Sequence, residues 1–254
     1  MRVSLERFTG ATIAARRLTR EREAGPIASM TPDEAKRAAA VAALAELPPS
    51  GIIGLGTGST AKLFIEEVGA LVKAGRKLRA VPTSEASRIQ AEGLGIDVLP
   101  AEGPWDIEVT IDGADEVDER LDLIKGGGAA HLREKIVNYA SKRNVIIVDD
   151  SKLSKRLGEK WSIPIEVVGF AHGTTRQHLA RFGAPMLRHK DGAPVKTDSQ
   201  NLIYDLACGP IDDPAALDLA LHAVPGVVET GLFIRRADVV IVAGTSGIRR
   251  LTRS

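Results

Sequence analysis

The N-terminal part of the chain alternates between short apolar runs and longer segments in which apolar residues recur every three or four positions. The short runs are flanked by glycine and proline and predict buried strands, whereas the longer segments predict amphipathic helices. The predicted strands span residues 51–55, 78–81, 96–99, 107–111 and 144–148, and the predicted helices span residues 31–47, 61–74, 85–93 and 129–141. Such alternation is typical of βαβ units, so we expect a parallel sheet covered by helices.

The alternation changes after about Lys155. Two apolar runs there predict strands, two amphipathic segments predict helices, and Asp191-Gly192 is a typical hairpin turn. These strands span residues 163–168 and 195–206, and these helices span residues 174–182 and 214–224. The pattern predicts a small α+β domain, after which an apolar run at 237–243 predicts a strand that returns to the first sheet.

Residues 1–29 differ from the rest of the chain because they contain six arginines, no lysine and three glutamates. The glutamates argue against an organellar transit peptide, which is poor in acidic residues. We interpret the segment as a loose leader, or as the product of a translation start placed too far upstream. Directly after it, Thr31 as N-cap, Pro32 at the first helical position and Glu34 three residues after the cap predict a strong helix start. The folded body is therefore expected to begin near Met30.

Composition and charge restrict the classes of partner. Among 254 residues, 34 basic and 33 acidic side chains leave a net charge of +1, which provides no global field to recruit nucleic acid or a membrane surface. Aromatic residues make up 4% of the chain and offer few stacking platforms for single-stranded nucleic acid. No apolar stretch approaches the ~20 residues of a membrane span. We therefore expect a cytoplasmic protein without nucleic-acid or membrane partners.

Cysteine and histidine usage predicts no metal site. Cys208 is the only cysteine, so there is no intrachain disulfide and no thiolate metal cluster. It lies in an apolar run, and we expect a buried, unreactive thiol. The five histidines show no His-Glu-x-x-His arrangement.

The first candidate for chemistry is the glycine-rich loop 54–60, between a predicted buried strand and a predicted helix. Glycines let the backbone approach a ligand, and the N–H groups of a helix N-terminus favour an anion, so the loop is a candidate phosphate site. It is not a dinucleotide fingerprint, because Ser59 occupies the place of the third glycine, and it lacks the lysine of a Walker A loop. The alternative is a tight turn in which Ser59 or Thr60 only caps the helix.

The second candidate is an acidic turn that follows the fourth predicted strand. Five carboxylates occur within eight residues there, at Asp112, Asp115, Glu116, Asp118 and Glu119. Ligands gather at the carboxyl ends of strands in open α/β sheets, so this turn would suit a metal or a proton transfer. Asp112 directly follows an apolar strand and is the best candidate for a carboxylate that faces a ligand. We expect Glu116, Asp118 and Glu119 to be exposed to solvent.

The third candidate is Lys125, followed by three glycines and a predicted helix. The glycine turn leaves N–H groups free for anionic oxygens, and Lys125 can approach the same ligand. Glu134 falls in the second helical turn, near enough to face a site at the start of that helix. The alternative is a surface alternation of charge over Arg133-Glu134-Lys135. We expect His131 to face solvent or to support the site from behind.

Taken in order, the segments 56–60, 112–116 and 125–135 closely resemble the ribose-5-phosphate isomerase family of the A type. Their sequences are GTGST, DGADE and KGGGAAHLREK. Later landmarks agree, namely Asp150-Ser151-Lys152, Pro164-Ile165-Glu166-Val167, and Pro225-Gly226-Val227-Val228 before Gly231-Leu232-Phe233. One such motif would be weak, but the series is highly specific, and the resemblance runs from about Met30 to the C-terminus.

The resemblance implies an α/β fold in which a Rossmann-like parallel-sheet domain is interrupted by a ferredoxin-like α+β domain. The Rossmann-like catalytic domain would span residues 30–156 and 231–254, and the α+β domain residues 157–230. The resemblance also implies interconversion of D-ribose 5-phosphate and D-ribulose 5-phosphate through an enediolate, in the non-oxidative pentose phosphate pathway. The enzyme would act on this small molecule without a cofactor, as a homodimer or homotetramer.

The resemblance also assigns roles to individual residues. Glu134 would be the general base, while Asp112 and Lys125, with Asp115 beside them, would attend the sugar oxygens and their developing charge. The residues expected to bind the sugar phosphate are Thr57, Gly58, Ser59, Thr60, Gly126, Gly127, Gly128, Lys152 and Lys36.

Two details bear on how far the resemblance extends. Thr83-Ser84 aligns with a serine-rich stretch that lies beside the family's site. His131-Leu132 departs from the Leu-Thr common in relatives, which puts a threonine contact from that turn in question but not the base.

Two other classes of function are weighed against this one. A sugar-phosphate sensor on a related fold would bind without turnover, but such regulators usually carry a helix-turn-helix, and a sensor has no need of Glu134. The 29-residue leader is too short for that motif. An enzyme similar to CoA-transferases would instead use a glutamate as a nucleophile. Because fold kinship alone does not decide function, the choice rests on the series of motifs.

Overall fold

A computed structural model describes residues 30–253, and within that range the chain forms six α-helices and sixteen strands. The helices are α1 (Pro32–Ala42), α2 (Ser59–Lys73), α3 (Glu85–Gly93), α4 (His131–Tyr139), α5 (His172–Leu179) and α6 (Pro214–His222). The strands are β1 (Gly51–Leu55), β2 (Leu78–Pro82), β3 (Asp97–Val98), β4 (Ile107–Asp112), β5 (Glu116–Val117), β6 (Leu123–Ile124), β7 (Asn144–Asp149), β8 (Ile163–Val167), β9 (Ala184–Leu187), β10 (His189–Lys190), β11 (Ala193–Pro194), β12 (Leu202–Ala207), β13 (Val227–Thr230), β14 (Leu232–Phe233), β15 (Val239–Gly244) and β16 (Gly247–Thr252).

Seven strands form the main sheet, in the order β16-β15-β7-β4-β1-β2-β3. All neighbours are parallel except β16, which runs antiparallel to β15. Because side chains alternate between the faces of a strand, Ile147 packs with the core beneath α1 and α2, whereas Ile146 and Val148 pack on the opposite face. The chain order reverses between β1 and β4, which is where ligands bind in Rossmann-like sheets.

Four further strands form an antiparallel sheet in the order β13-β8-β12-β9. Helix α5 separates β8 from β9 and α6 separates β12 from β13, which gives the βαββαβ arrangement of ferredoxin-like domains. Tyr204 and Leu206 of this sheet pack with Leu179 of α5 and Leu221 of α6. The predicted fold class, an α/β domain with an inserted ferredoxin-like α+β domain, is therefore confirmed. The domain boundaries at 156/157 and 230/231 stay a prediction.

The predicted strand 195–206 is wrong in its first half. Strand β12 begins only at Leu202, and the preceding residues form a loop after the β10–β11 hairpin. Thr197 explains the loop, because its hydroxyl accepts a hydrogen bond from the N–H of Asn201 at 3.2 Å and donates one to buried Glu166 at 2.8 Å. A side chain that bonds its own backbone in this way competes with the strand ladder.

Helix α1 begins where the sequence predicts. The N–H of Thr31 donates to the Glu34 carboxylate at 2.7 Å, and the N–H of Glu34 donates to the Thr31 hydroxyl at 3.3 Å, so the capping box is present. The predicted leader, residues 1–29, lies outside the described residues, as does Ser254. Within 30–253, no helix combines the length and the apolar composition that crossing a membrane requires.

Candidate active site

A cleft with a volume of about 340 Å³ opens at the carboxyl ends of the central strands. It is lined by the turns that follow β1, β4, β7 and β15, by the start of α1 and by the turn before α4. Twelve of the thirteen predicted site residues line it, and the thirteenth, Asp112, lies directly behind Lys125. The predicted residues are thus brought together in one place, although their individual roles stay predictions.

Three buried side chains form the charged centre of the cleft. The Nζ atom of Lys125 lies 3.1 Å from Oε2 of Glu134 and 3.0 Å from Oδ2 of Asp112, and it donates to the carbonyl of Gly113 at 2.7 Å. The other oxygen of Asp112 accepts hydrogen bonds from the N–H groups of Thr57 at 3.0 Å and Gly113 at 2.7 Å. Asp112 therefore holds the ammonium from the protein side, and Glu134 meets it at the cleft.

Burial changes the protonation behaviour of three groups that face the cleft. Burial raises the pKa of Glu134; the Lys125 ammonium opposes that rise and the Asp112 carboxylate adds to it. Burial alone would lower the pKa of Lys125, but the carboxylates of Asp112 and Glu134 raise it above its ordinary value. The pKa of Asp115 is raised, mainly by burial. A glutamate with a raised pKa beside a permanent cation is suited to accepting and returning a proton.

The turn 126–128 brings backbone N–H groups to the cleft. Gly126 has a φ of 109°, and a Cβ atom there would lie 2.8 Å from the ring of His131, so the position requires glycine. The N–H of Gly127 donates to Oδ2 of Asp115 at 2.7 Å. The turn is therefore packed between Asp115 and His131.

Helix α2 points its N-terminus at the cleft. The N-cap is Gly58, which has a φ of 112° and no side chain to accept from the first N–H groups of the helix. The alternative in which Ser59 or Thr60 only caps the helix is thus not what the structure shows. Within the described residues, the first-turn N–H groups and the two hydroxyls are placed to receive an anion.

A cluster of hydroxyl groups fixes the loop after β1. The hydroxyl of Thr57 lies 2.7 Å from that of Thr83 and donates to that of Ser84 at 2.7 Å, while the hydroxyl of Ser87 donates to the carbonyl of Gly56 at 2.7 Å. The cluster ties this loop to the start of α3. Thr57 therefore lines the cleft while its hydroxyl is engaged by the protein.

Two lysines add positive charge at the cleft. Lys36 extends from α1, with its ammonium 3.4 Å from the carboxylate of Asp33 and its side chain 24% exposed. Lys152 ends the short helix after β7, with its ammonium 5.0 Å from the centre of the Trp161 ring. Both predicted positions are therefore available to an anionic substrate.

The acidic turn differs from the prediction. Glu116 and Asp118 are buried rather than exposed, whereas Glu119 is exposed as expected. The carboxylate of Glu116 accepts three hydrogen bonds from the segment 154–160, at 2.6, 2.9 and 3.0 Å. Asp118 accepts one from the N–H of Asp122 at 2.8 Å. These two carboxylates are buried because loops fold over them and satisfy their oxygens.

His131 and Cys208 differ in part from the expectations. His131 is fully buried behind the glycine turn, so of its two expected placements the one behind the site agrees with the structure and the one in solvent does not. Burial is the main reason why its pKa is lowered, to about 3, so the imidazole is neutral. Cys208 is half-buried, and burial raises the pKa of its thiol, which keeps it protonated and unreactive.

The structure adds residues that the sequence did not single out. Arg188, from the inserted domain, donates to the carbonyls of Gly126 at 2.8 Å and Gly127 at 3.3 Å. Thr245, after β15, lines the cleft, and its N–H donates to the carboxylate of Asp150 at 3.2 Å. No local sequence pattern predicts a role for Arg188 at the site, because its partners lie in another domain. Thr245 follows the end of a predicted strand, which is only a weak indication that it lines the site.

One cluster away from the cleft has the residue types of a metal site. Atoms of Asp218, His222 and Glu229 lie within 4.8 Å of one another. The Lys135 ammonium, 2.6 Å from Glu229, already supplies a cation, and the hydrogen bonds that the His222 ring donates to the carboxylates of Asp218 and Glu229 raise its pKa to about 10. The cluster is thus an ion-pair network that ties α4 to α6 and β13.

Comparisons with known proteins agree with this geometry. The family profile described as ribose 5-phosphate isomerase A (phosphoriboisomerase A) matches residues 79–247. The ribose-5-phosphate isomerase A of Rhodopseudomonas palustris is 46% identical over 233 residues, which cover 89% of this chain and 100% of the relative. That of Methylorubrum extorquens is 48% identical over 226 residues, which cover 86% of this chain and 95% of the relative.

A solved structure is similar over nearly the whole described range. A D-ribose-5-phosphate isomerase in complex with phospho-erythronic acid superposes with a TM-score of 0.85 at 38% sequence identity, covering 88% of this chain and 100% of the other. Sequence and structure thus agree over the same span, and the resemblance predicted from the motifs is confirmed. The chain belongs to the ribose-5-phosphate isomerase A family.

Proposed function

We propose that this chain interconverts D-ribose 5-phosphate and D-ribulose 5-phosphate through an enediolate, with Glu134 as the general base. One observation carries the mechanism: the buried Glu134 carboxylate faces the cleft 3.1 Å from the Lys125 ammonium. Oε2 of Glu134 is buried against that ammonium, so we assign the proton transfer to the other oxygen of the carboxylate.

The proton transfer uses the same carboxylate twice. In the open-chain aldose, Glu134 removes the proton from C2; the C2–H electron pair forms the C1=C2 double bond, and the carbonyl pair moves onto O1. A proton then passes from O2 to O1, and the C2=O bond forms as Glu134 returns its proton to C1. The product has the atoms of the substrate, and because C1 and C2 are adjacent, one base reaches both.

The negative charge that develops on O1 and O2 needs preorganised donors. Lys125 supplies the full positive charge, and Asp112 keeps its ammonium in place. The N–H group of Gly128 adds a backbone donor beside it. Asp115, whose pKa is raised by burial, lies against that turn and is suited to carrying the proton between the two oxygens.

We assign the phosphate to the N-terminus of α2. Three features favour that end of the cleft for a dianion: the uncapped N–H groups after Gly58, the hydroxyls of Ser59 and Thr60, and the ammonium of Lys36. Lys152 lines the same cleft and adds a further positive charge.

The ligand of the solved relative supports this mechanism. Phospho-erythronic acid is a phosphorylated four-carbon sugar acid, and it is bound in the structure that superposes with a TM-score of 0.85. Its carboxylate carries two oxygens and a negative charge in one plane, as the C1–C2 end of an enediolate does. Binding of this compound to the present chain, in competition with ribose 5-phosphate, is therefore expected.

The decisive experiment is isomerisation of ribose 5-phosphate in D₂O. We expect ribulose 5-phosphate to form and to carry deuterium at C1, because a carboxylate that holds the proton exchanges it with solvent in part of the turnovers. Absence of ketose would reject the function, and ketose formed at an undiminished rate by Glu134→Gln would reject proton transfer through Glu134. Capture of an acyl-glutamate by hydroxylamine would instead indicate the nucleophilic chemistry of a CoA-transferase-like enzyme. The homodimer or homotetramer and the cytoplasmic location stay predictions.

A further inference from the structure

We propose that Arg188 of the inserted domain is a positioning residue for the glycine turn 126–128. The inference rests on the proposed function, since it takes the N–H group of Gly128 in that turn as a donor to the enediolate oxygens. It goes beyond that function because it makes the inserted domain part of the catalytic geometry.

Arg188 is itself held firmly by the inserted sheet. Arg188 connects β9 to β10, and its side chain is 15% exposed. The Nε and Nη2 atoms donate to the two carboxylate oxygens of Asp205 on β12, the former at 2.9 Å, in a bidentate pair. This pair leaves Nη1 to donate to the carbonyls of Gly126 at 2.8 Å and Gly127 at 3.3 Å. The guanidinium therefore links the sheet of one domain to a turn of the other.

Holding those two carbonyls fixes the direction of two N–H groups. A trans peptide unit points its C=O and its N–H to opposite sides. The unit that gives its carbonyl from Gly126 to Arg188 sends the N–H of Gly127 the other way, where it meets Asp115 at 2.7 Å. The same geometry applies to the next peptide unit. Because the carbonyl of Gly127 accepts from Arg188, the N–H of Gly128 points away from the guanidinium, toward the cleft that Gly128 lines.

The turn needs such an outside anchor because of its own composition. Three consecutive glycines have no side chains to restrict the backbone, so each peptide unit rotates more easily than in other residues. A donor array is useful in catalysis only if its direction is set before the charge develops. The N–H of Ala129 already donates to the Gly126 carbonyl at 3.0 Å, and Asp115 accepts from Gly127. Arg188 adds a hydrogen bond to the Gly127 carbonyl, and its positive charge behind the turn polarises that peptide unit toward the cleft.

The test compares Arg188→Ala and Arg188→Lys with Arg176→Ala. Arg176 is a matched control, because it is in the same inserted domain but its side chain donates to the Pro185 carbonyl at 3.3 Å rather than to the turn. We expect both Arg188 variants to lower kcat by ~10- to 100-fold, the range of small misplacements in active sites, with KM for ribose 5-phosphate changed less than about threefold. Lysine is expected to fail because it lacks the fork that meets Asp205 and the carbonyls together.

Chemical rescue separates positioning from folding. Ethylguanidinium is expected to restore part of the kcat of Arg188→Ala, whereas ethylammonium at the same concentration is not. Circular dichroism gives the folded fraction of each variant. The proposal is overturned if kcat of both Arg188 variants stays within twofold of the parent, or if activity falls only in proportion to the folded fraction and guanidinium restores none. A parent chain without isomerase activity would instead reject the proposed function, so the two failures are distinct.

Discussion

The ammonium of Lys125 lies 3.1 Å from the carboxylate of Glu134, and the two side chains are 3% and 4% exposed. Burying two charges costs more free energy than their attraction usually returns, so a buried pair of this kind is weak evidence for stability. Its placement at the cleft instead suits the proposed role of Glu134 as general base, because the cation stays in place while the carboxylate is protonated and deprotonated.

The first prediction concerns the base. Glu134→Gln removes the only group that we assign to proton abstraction, so kcat should fall by at least ~100-fold, with a smaller change in KM. Glu119→Gln, an exposed change in the acidic turn, is the control and should leave kcat unaltered. Steady-state assays of ribulose 5-phosphate formation measure both. Near-normal turnover by Glu134→Gln would contradict the assignment.

The second prediction concerns pH. A general base works only when ionised, so kcat/KM should fall as the pH drops through the pKa of Glu134. Burial raises that pKa, so the fall should occur above the range of an ordinary glutamate, ~4.3. Lys125→Met removes the cation that opposes the rise, so the midpoint should move to still higher pH. Ionisation of the substrate phosphate is common to both profiles and cancels in the comparison. An unmoved midpoint would contradict the coupling.

The third prediction concerns close packing behind the site. A Cβ atom on Gly56 would lie 2.6 Å from the Cα of Asp112 and would also meet its carboxylate. Gly56→Ala should therefore cost about 1–3 kcal/mol of unfolding free energy and lower kcat ~10-fold, because Asp112 holds Lys125. Gly93→Ala is the control, since nothing lies within 4 Å of a Cβ there. Urea unfolding with matched kinetics measures both, and equal behaviour of the two variants would refute the packing argument.

Much of the fold can be predicted from the sequence because it follows from local patterns. The apolar run at 51–55 and the helix at 85–93 have the same bounds in prediction and structure. The Asp191-Gly192 turn also connects β10 to β11 as predicted. Each of these features is set by neighbouring residues, through burial of a strand, a capped helix or the backbone that a turn requires. The clustering of the glycine loops follows from the rule that ligands meet at strand ends.

What the sequence does not show depends on distant partners. Strand β16 (Gly247–Thr252) was not predicted, because an edge strand with exposed arginines lacks an apolar run. Glu116 was expected in solvent, yet the segment 154–160 covers it. Arg188 reaches the glycine turn from another domain. In each case the physical cause is a contact between segments far apart in the chain, which local periodicity does not encode.

The fourth prediction uses the buried carboxylate that the sequence misplaced. Glu116→Gln replaces one acceptor oxygen with an NH₂ group, which cannot accept the hydrogen bonds that this oxygen receives from the segment 154–160. We expect a loss of about 1.5–3 kcal/mol in unfolding free energy, with kcat per folded molecule unchanged. Glu119→Gln is the control: this side chain is exposed, so the free energy of unfolding should not change. Denaturant titration measures the difference, and equal stability of the two variants would show that the three hydrogen bonds contribute little.

The fifth prediction places the phosphate. If the dianion lies at the N-terminus of α2, Lys36→Met should raise KM for ribose 5-phosphate about tenfold while kcat changes little, because that ammonium contacts the part of the substrate that does not react. Competitive inhibition by inorganic phosphate should weaken by a similar factor. Lys62→Met, on the exposed side of α2, is the control. Lys152→Met tests the other charged side of the cleft: a larger rise in KM there than at Lys36 would contradict a phosphate at the N-terminus of α2.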